Sequence, residues 1–378
     1  MEVYFDNAAT TQIRKEVVDE IKNCLLDTYG NPSSSHSFGR SAKSKLENAR
    51  KVIAFHLNSS PQEIIFTSGG TESDNMLIRC AVKDLKVNTI ISSKIEHHAV
   101  LHTLDDLKSD GVEIKYVKTN NKGQVDYLDL ERLLKEDDSK KLVTLMYINN
   151  EIGTILDMER VGLICKESDA LFHTDAVQGV AHYNIDVEKY NIDFLSAAAH
   201  KFHGPKGVGF SYVNKKLNIN PFISGGAQER GLRAGTEALP NIVGMEKAMS
   251  MSYENLDEEK KYIQSIKDYF IKSIKNIFPN VEFNGCCSDP KESTYTLLNI
   301  SIPVNKEKAS LLDFQLDLKG IACSKGSACQ SGSNQGSHVL KEVQNKKNND
   351  WPSLRFSFSS YNSKQEVDYL MNVLKEFN

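Results

Sequence analysis

The stretch EIIFTSGGTESDNMLI, residues 63–78, contains the unit from which we expect the fold to be built. It begins with an apolar run typical of a buried strand, turns at Gly69 and Gly70, and continues with the amphipathic spacing of a helix. Free N–H groups and the helix dipole at such a helix start favour a phosphate group. The stretch is neither a nucleotide P-loop nor a dinucleotide fingerprint. Taken alone, a plain tight turn with Thr71 capping the helix explains it better.

The same alternation of strand and helix continues from about residue 60 to residue 209. The strand-like runs are EIIFTS, NTIISS, EIKYVK, KLVTLMYI, ALFHTDA, DFLSAAA and VGFSYV. Between them lie amphipathic stretches such as residues 71–84 and 127–136. This pattern predicts an α/β domain whose mostly parallel sheet is covered by helices. Ligands of such sheets gather at the carboxyl ends of the strands, so we expect functional residues directly after them.

The pattern changes at about residue 255. A long charged helix is predicted over residues 258–277, and the strand-like runs STYTLLNISI and SLRFSFS follow it. A last helix is predicted at about residues 365–377. Strands and helices that are grouped in this way predict a smaller α+β domain.

Two cysteines lie close together in the segment GIACSKGSACQSGSNQGSHVL, residues 320–340. Cys323 ends a short apolar strand, which fits a structural thiol. Cys329 stands among glycine and polar residues, where a buried structural thiol fits poorly and a functional one fits better. The vicinal pair Cys286 and Cys287 lacks partners at zinc-like spacing, so we interpret it as structural or incidental.

Composition narrows the class of protein. The 378 residues carry a formal net charge of -4, which gives no electrostatic reason to expect nucleic acid or an anionic membrane as the partner. No apolar stretch is long enough to span a bilayer, and the N-terminus lacks the regions of a signal peptide. The seven scattered cysteines argue against a disulfide framework. We therefore expect a protein of the reducing cytoplasm.

Two strand ends carry groups that are costly to bury. The predicted strand in ALFHTDAVQGV is followed by Asp175 and Gln178. The predicted strand in DFLSAAAHKFHGPKGVGF is followed by His200 and Lys201. For Asp175 a helix N-cap is a strong alternative. Lys201 emerges from an apolar strand, and such a lysine can lose its proton and form a Schiff base. Together with the phosphate site near Gly70, these groups suggest pyridoxal 5'-phosphate (PLP), which needs a lysine, an acid at its ring nitrogen and a phosphate cradle.

The chain resembles a fold-type I PLP enzyme of class V, and more closely a cysteine desulfurase of the NifS/IscS-like group. The motifs that carry the resemblance are YFDNAATT, YGNPSSSHSFGR, FTSGGTESDN, SKIEHHAV, NNEIGT, HTDAVQ, HKFHGPKGVG, GGAQERGLRAGT and GSAC. They run nearly from end to end. The resemblance implies a large PLP-binding domain over residues 16–254. It implies a small domain over residues 1–15 and 255–378, with a mobile cysteine loop at about 324–337.

The resemblance also implies roles for residues around the cofactor ring. Lys201 would form the Schiff base, Asp175 would pair with the ring nitrogen, and Gln178 would bond the ring hydroxyl. His97 would stack on the ring and assist proton transfer, whereas His98 is interpreted as a bystander. Asn150 would contact the ring or the substrate.

The phosphate and the substrate are implied to be held by a second group of residues. Gly70, Thr71 and His200 would hold the phosphate, and Thr236 would reach it from the second subunit of a homodimer. Arg355 would grip the substrate carboxylate as a bidentate fork. A surface strand arginine is the alternative for that residue.

The implied reaction removes sulfur from L-cysteine, releases L-alanine and leaves a persulfide on Cys329. The reactive species is a thiolate, so we expect its pKa to fall beside the cationic site, where His97 and Arg355 could help. The sulfur would then pass to an acceptor protein, such as an iron–sulfur scaffold or an enzyme of tRNA or cofactor thiolation. The polar segment around Cys329 would let the thiol reach both the substrate and the acceptor.

The chain departs from the family pattern at three places, and two other functions stay open. Ala198 replaces a serine that would be a phosphate donor, Ser359 and Ser360 alter the segment after Arg355, and Lys325 replaces a small residue. One alternative is a class V aminotransferase acting on small amino or keto acids. The other is a non-catalytic sulfur-transfer or assembly partner with the same fold.

Overall fold

The structure is a computed structural model that describes residues 1–304, 306–325, 336–344 and 351–377. The helices of this part of the chain are α1 (Lys15–Asp27), α2 (Ser37–His56), α3 (Gly70–Lys83), α4 (His98–Ser109), α5 (Tyr127–Leu134), α6 (Met158–Glu167), α7 (Leu239–Glu254), α8 (Leu256–Ile277), α9 (Lys306–Leu318), α10 (His338–Val343) and α11 (Lys364–Leu374). The strands are β1 (Val3–Tyr4), β2 (Ile64–Thr67), β3 (Thr89–Ser92), β4 (Glu113–Tyr116), β5 (Lys141–Thr144), β6 (Leu171–Asp175), β7 (Phe194–Ala198), β8 (Gly209–Val213), β9 (Glu282–Phe283), β10 (Leu297–Ser301), β11 (Ile321–Ala322) and β12 (Ser353–Ser357).

The main sheet has seven strands in the order β2-β8-β7-β6-β5-β3-β4. Strand β8 runs antiparallel to both of its neighbours, and the other pairs are parallel. All seven runs predicted as strands belong to this sheet, so the predicted α/β class is confirmed. Strands β5 to β8 are almost wholly buried, which explains why they read as continuous apolar runs rather than alternating ones.

One predicted strand is shorter in the structure than its apolar run. KLVTLMYI extends to residue 148, but β5 ends at Thr144. The N–H groups of Leu145 and Tyr147 still donate to the carbonyl oxygens of His173 and Asp175. Residues 145–148 therefore stay beside β6 beyond the end of β5, and this explains why the apolar run is longer than the strand.

The remaining strands form two smaller sheets. The antiparallel sheet β12-β10-β9 and the parallel pair β1-β11 join the first residues of the chain to its last third. The N-terminal segment is tied further to β12, because the carbonyl oxygen of Phe5 accepts from the N–H of Ser357 at 2.7 Å. These contacts place residues 6–9 between the small sheets and the carboxyl edge of the large one.

The buried apolar side chains fall into separate clusters. One pair of clusters lies on the faces of the large sheet, between Val17 and Met249 in sequence. Another cluster joins Val3, Phe5 and Ala8 to side chains between Ile263 and Phe377. The domain boundaries at residues 16 and 254 stay a prediction. No helix of the described ranges is long and apolar enough to cross a membrane.

Candidate active site

A cavity of about 220 Å³ opens where β6 and β7 end and α3 begins. The predicted site residues that line it are Gly70, Thr71, His97, Asn150, Asp175, Gln178, His200, Lys201 and Arg355. They come from segments that are far apart in sequence, and the fold brings them to one place. Cys329 lies outside the described residues, and Thr236 is exposed and is not among the residues that line the cavity.

Lys201 reaches the cavity from a 3-10 turn at Ala199–Lys201, directly after β7. Its Nζ donates to the carbonyl oxygens of Ala8 at 2.6 Å and Ala9 at 2.9 Å. Gln178 approaches the same segment and donates from Nε2 to Ala8 at 2.9 Å. Sequence reasoning quoted YFDNAATT as a motif but gave these residues no role, because backbone acceptors leave no signature in side-chain chemistry.

Asp175 ends β6 with a buried carboxyl group. Its Oδ1 accepts from the N–H of Val177 at 2.9 Å. Burial raises the pKa of Asp175 above its ordinary value, and the positive charge of Lys201 opposes that rise. A buried acid in this state is stabilised when a cationic N–H meets it. A protonated pyridine nitrogen is a group of that kind.

A second acid, Asp74 of α3, lines the cavity beside Asp175 and was not predicted. It is buried, and its Oδ1 has no hydrogen-bond partner among the described residues. Nε2 of His173 lies 3.6 Å from that oxygen, beyond hydrogen-bond distance, and burial lowers the pKa of His173 to about 3, so this imidazole is neutral. Burial, and then the charge of Asp175, raises the pKa of Asp74 well above its ordinary value. Asp74 therefore favours its protonated form more than an exposed aspartic acid does.

His97 precedes α4 and caps it, because its Nδ1 accepts from the N–H of Ala99 at 3.1 Å. With Nδ1 accepting, the ring proton is on Nε2. Burial is the main cause that lowers the pKa of His97 to about 4, and the positive charge of Lys201 is the next cause. His97 is therefore neutral at neutral pH. It does not supply the positive charge that we expected it to offer to a thiolate.

The start of α3 provides a cradle for a compact anion. Gly69 adopts a φ of +151°, and a Cβ added to Gly70 would lie 2.6 Å from Cγ2 of Val177. No side chain caps this helix start. His200 lies nearby with its Nδ1 3.3 Å from Oγ1 of Thr10, and burial lowers the pKa of His200 to about 4. A phosphate here would meet backbone N–H groups and a neutral imidazole.

Arg355 of β12 is 1% exposed and is held from two sides. Its Nη1 donates to the carbonyl oxygen of Asn150 at 2.8 Å, and its Nη2 donates to Oδ1 of Asp6 at 2.9 Å. Its Nε has no acceptor within the described ranges. The surface-strand alternative for Arg355 is therefore wrong.

The other residues singled out in the sequence lie away from the cavity lining. The ring of His98 is 4.6 Å from that of His338 and 4.9 Å from that of His102. Cys323 packs against the apolar cluster that joins Val3 and Phe5 to the last third of the chain. Burial raises the pKa of its thiol to about 12. Cys286 and Cys287 are buried, and the described ranges contain no group of side chains arranged to hold a metal.

All three departures have a place in the structure. Ala198 ends β7 and lines the cavity, so its methyl group stands where a serine hydroxyl could have met an anion. Ser359 is buried, and its N–H donates to Oδ1 of Asn362 at 2.9 Å. Lys325 is exposed and pairs with Asp313 at 3.5 Å.

These features fit PLP. Within the described residues the buried Asp175 accepts from the neutral N–H of Val177, Gly70 leaves room where a side chain would clash, and a lysine amino group lines the same cavity. The ring nitrogen of PLP would meet Asp175, its phosphate would lie at Gly70, and its aldehyde would meet the amino group of Lys201.

Comparisons with known proteins agree with this assignment. Residues 3–370 match the family described as aminotransferase class-V. A protein of Dictyoglomus turgidum named cysteine desulfurase IscS is 42% identical over 376 residues, covering 99% of this chain and 94% of that protein. A solved NifS-like protein superposes with a TM-score of 0.90 at 36% identity, covering 100% and 99% of the two chains. The solved structure titled SspA in complex with cysteine has a TM-score of 0.83 at 32% identity, covering 96% and 100%.

The fold and the cavity define a PLP-dependent enzyme of fold-type I. The seven-stranded sheet, the lysine after β7 and the acid at the end of β6 are the features that place it there. The chain belongs to the class-V aminotransferase family and, within it, to the cysteine desulfurases.

Proposed function

We propose that this enzyme takes sulfur from L-cysteine, releases L-alanine and holds the sulfur as a persulfide on Cys329. The observation that carries the proposal is the single cavity in which Lys201, Asp175, His97 and Arg355 meet. A lysine, an acid and a carboxylate-binding arginine around one space are the requirements of PLP chemistry on an amino acid. The names of the relatives support L-cysteine as that amino acid.

The residues proposed to hold the cofactor are supported by the cavity lining, except Thr236, which is proposed from the family resemblance alone. Lys201 would bind it covalently, Asp175 would meet the ring nitrogen and Gln178 the ring hydroxyl. The cradle at Gly70, with Thr71 and His200, would hold the phosphate, and Thr236 of a second subunit would complete it. When bound, PLP supplies the electron withdrawal that weakens the bonds at Cα and Cβ of the substrate.

Arg355 and Asn150 are proposed to bind and orient the substrate. The carbonyl oxygen of Asn150 and the carboxylate of Asp6 hold two nitrogens of the guanidinium, which leaves the N–H of Nε and the second N–H of Nη1 for the substrate carboxylate. Fixing one end of the amino acid in this way places its Cα and Cβ at a set distance from Lys201 and His97.

His97 and Lys201 are proposed to hold the protons of the reaction. The neutral imidazole of His97 carries its proton on Nε2 and cannot move it to Nδ1, because Nδ1 accepts from Ala99. The amino group of Lys201 lies between the carbonyl oxygens of Ala8 and Ala9, which restrain it when it is not bound covalently. Each group would exchange one proton with the substrate or the cofactor.

The described chain before residue 326 and after residue 335 is anchored to residues beside the cavity. Ser324 pairs through its backbone with Arg355, and its N–H and carbonyl oxygen bond that residue at 3.1 and 2.8 Å. Beyond residue 335, Nε2 of His338 donates to the carbonyl oxygen of Glu96, the neighbour of His97, at 2.9 Å. These anchors support the proposal that Cys329 serves this cavity.

The test is a turnover assay on purified enzyme loaded with PLP. L-cysteine with a reductant should yield alanine and sulfide in equal amounts in the wild type. The Cys329→Ala variant should lose sulfide production, and alanine formation should fall with it. Transamination of alanine with pyruvate-type acceptors, without sulfide, would instead favour a small-molecule aminotransferase.

We further propose a homodimer in the cytoplasm that passes its sulfur to an acceptor protein. The six described cysteines are free thiols, which suits a reducing compartment. The acceptor would be an iron–sulfur scaffold or an enzyme of tRNA or cofactor thiolation. Trapping the persulfidated enzyme with a bound partner from the source cell would identify it, and sedimentation of the wild type beside Thr236→Ala would test the dimer.

A further inference from the structure

Asp6 holds the guanidinium of Arg355, although it was not among the residues predicted for the site. Its Oδ1 accepts from Arg355 Nη2 at 2.9 Å and from the hydroxyl of Ser324 at 2.7 Å. Nη2 also donates to the oxygen of Ser324 at 3.0 Å, so the three side chains close a triangle. Because Arg355 is almost wholly buried, its charge is balanced by Asp6 rather than by solvent.

This triangle decides which part of Arg355 is left for a ligand. Nη1 is taken by the carbonyl oxygen of Asn150, and Nη2 is taken by Asp6 and Ser324. Nε is the guanidinium nitrogen without an acceptor in the described part of the chain. A guanidinium has five N–H donors, so the N–H of Nε and the second N–H of Nη1 are the donors left for a carboxylate.

Asp6 is itself held on a rigid support. The residues on both sides of it bond Ser357 of β12: the carbonyl oxygen of Phe5 accepts from its N–H at 2.7 Å, and the N–H of Ala8 donates to its hydroxyl at 2.8 Å. Since Arg355 belongs to the same strand, the acid and the arginine keep a fixed register. Side chains fixed in this way are preorganised for recognition.

We propose that Asp6 is a positioning residue for substrate recognition, which fixes the guanidinium plane of Arg355 so that one α-carboxylate binds at the N–H donors left on Nε and Nη1. This inference rests on the proposed function, because it takes the amino-acid carboxylate to be the ligand of Arg355. Without Asp6 the guanidinium loses its charged anchor on Nη2 and keeps only the hydroxyl of Ser324 there, so it can turn more easily about its last bonds. Recognition of the carboxylate then weakens, while contacts to the amino group of the ligand stay as they were.

A purely structural role for Asp6 would have a different signature. Loosening the N-terminal segment would disturb Ala8 and Ala9, which bond Lys201, and would weaken every ligand equally. L-alanine and ethylamine separate the two cases, because they share the amino group and the methyl group and differ in the carboxylate. Neither carries a thiol that could react with the cofactor.

The experiment compares loaded wild type with Asp6→Ala, Asp6→Asn, Ser324→Ala and Tyr4→Phe. Tyr4 is the matched control, because its hydroxyl donates to the carbonyl oxygen of Thr10 in the same segment rather than to the triangle of Asp6, Ser324 and Arg355. Affinities for L-alanine and ethylamine are measured from the change in the visible band of the cofactor. PLP content and the melting temperature of each variant show that it is folded and loaded.

We expect Asp6→Ala to lower the preference for L-alanine over ethylamine about tenfold, the usual worth of one charge-assisted hydrogen bond. Its KM for L-cysteine should rise by a similar factor while kcat changes little. Asp6→Asn and Ser324→Ala should give smaller losses, and Tyr4→Phe none. An unchanged preference in Asp6→Ala, or an equal fall for both ligands, would overturn the inference; Asp6→Asn decides the matter in the same way should the alanine variant not fold. Failure of the proposed function would show separately, as wild type that releases no sulfide from L-cysteine.

Discussion

The amino group of Lys201 donates to the carbonyl oxygen of Ala8 across 2.6 Å, although 193 positions separate the two residues. The lysine belongs to the end of the large sheet, and Ala8 belongs to the segment that is bonded to β12. The first ten residues therefore help to hold the amino group of Lys201. The cavity is completed only when both ends of the chain are folded, because Ala8, Ala9 and Arg355 all line it.

Replacing Lys201 with alanine should abolish the visible absorption of the covalently bound cofactor. Turnover of L-cysteine should fall by a factor of about 10³ or more, because covalent catalysis depends on the amino group. Lys206 is the matched control, since it is exposed on the same connection. Normal turnover in Lys201→Ala would contradict the assignment of the cofactor.

Glu96 gives a prediction about pH and stability. Burial raises the pKa of Glu96 to about 8. The folded protein therefore keeps the proton of Glu96 up to about pH 8, whereas the unfolded chain releases it near pH 4.5. The contribution of Glu96 to the free energy of unfolding consequently falls as the pH rises from about 4.5 to 8. Apoprotein with Glu96→Gln should be more stable than wild type at pH 8, by a few kcal/mol in the free energy of unfolding, and equal to it near pH 4.5.

Urea unfolding of the Glu96→Gln apoprotein at several pH values would measure that difference. Glu2→Gln removes an exposed acid and should show no such trend. A difference that stayed constant with pH would mean that Glu96 is ionised in the folded protein.

The two neighbouring histidines should behave differently. His97→Ala should lower kcat by about two orders of magnitude, the usual contribution of a proton-transfer group. His98→Ala should leave kcat within a few-fold of wild type, because His98 does not line the cavity. Since the pKa of His97 is lowered to about 4, the rate profile of the wild type should show no titration of this histidine between pH 5 and 8. A loss in His98→Ala as large as that in His97→Ala would contradict this assignment.

Gly70→Ala should weaken PLP binding by crowding the cradle. The added methyl group would lie 2.6 Å from Cγ2 of Val177, so the helix start must shift. The double variant Gly70→Ala with Val177→Ala removes the clashing methyl groups and should recover part of the affinity, as measured by titration of apoprotein with PLP. Equal affinity in wild type and Gly70→Ala would show that the cradle is not used.

Much of this architecture could be predicted from the sequence. The seven strand-like runs are all found in the large sheet, and the residues placed at strand ends, Asp175 and Lys201, line one cavity. Local pattern was sufficient there because a buried parallel strand is apolar throughout and its end is marked by the first polar residue.

The rest depends on contacts that no local pattern encodes. The bond between Asp6 and Arg355 spans 349 positions, and the lowered pKa of His97 and the raised pKa of Asp74 follow from burial in the folded protein. The roles of Thr236 and Cys329 stay predictions. Thr236 would act in a second subunit, and Cys329 lies outside the described residues.

The central claim is that Cys329 receives the sulfur of L-cysteine. Single-turnover reaction of loaded enzyme with L-cysteine, followed by alkylation and peptide mass analysis, locates the persulfide directly. We expect the additional sulfur atom on the peptide containing Cys329, in wild type and in Cys323→Ala alike, and none in Cys329→Ala. A persulfide on Cys323, or alanine and sulfide released at the wild-type rate by Cys329→Ala, would contradict the account.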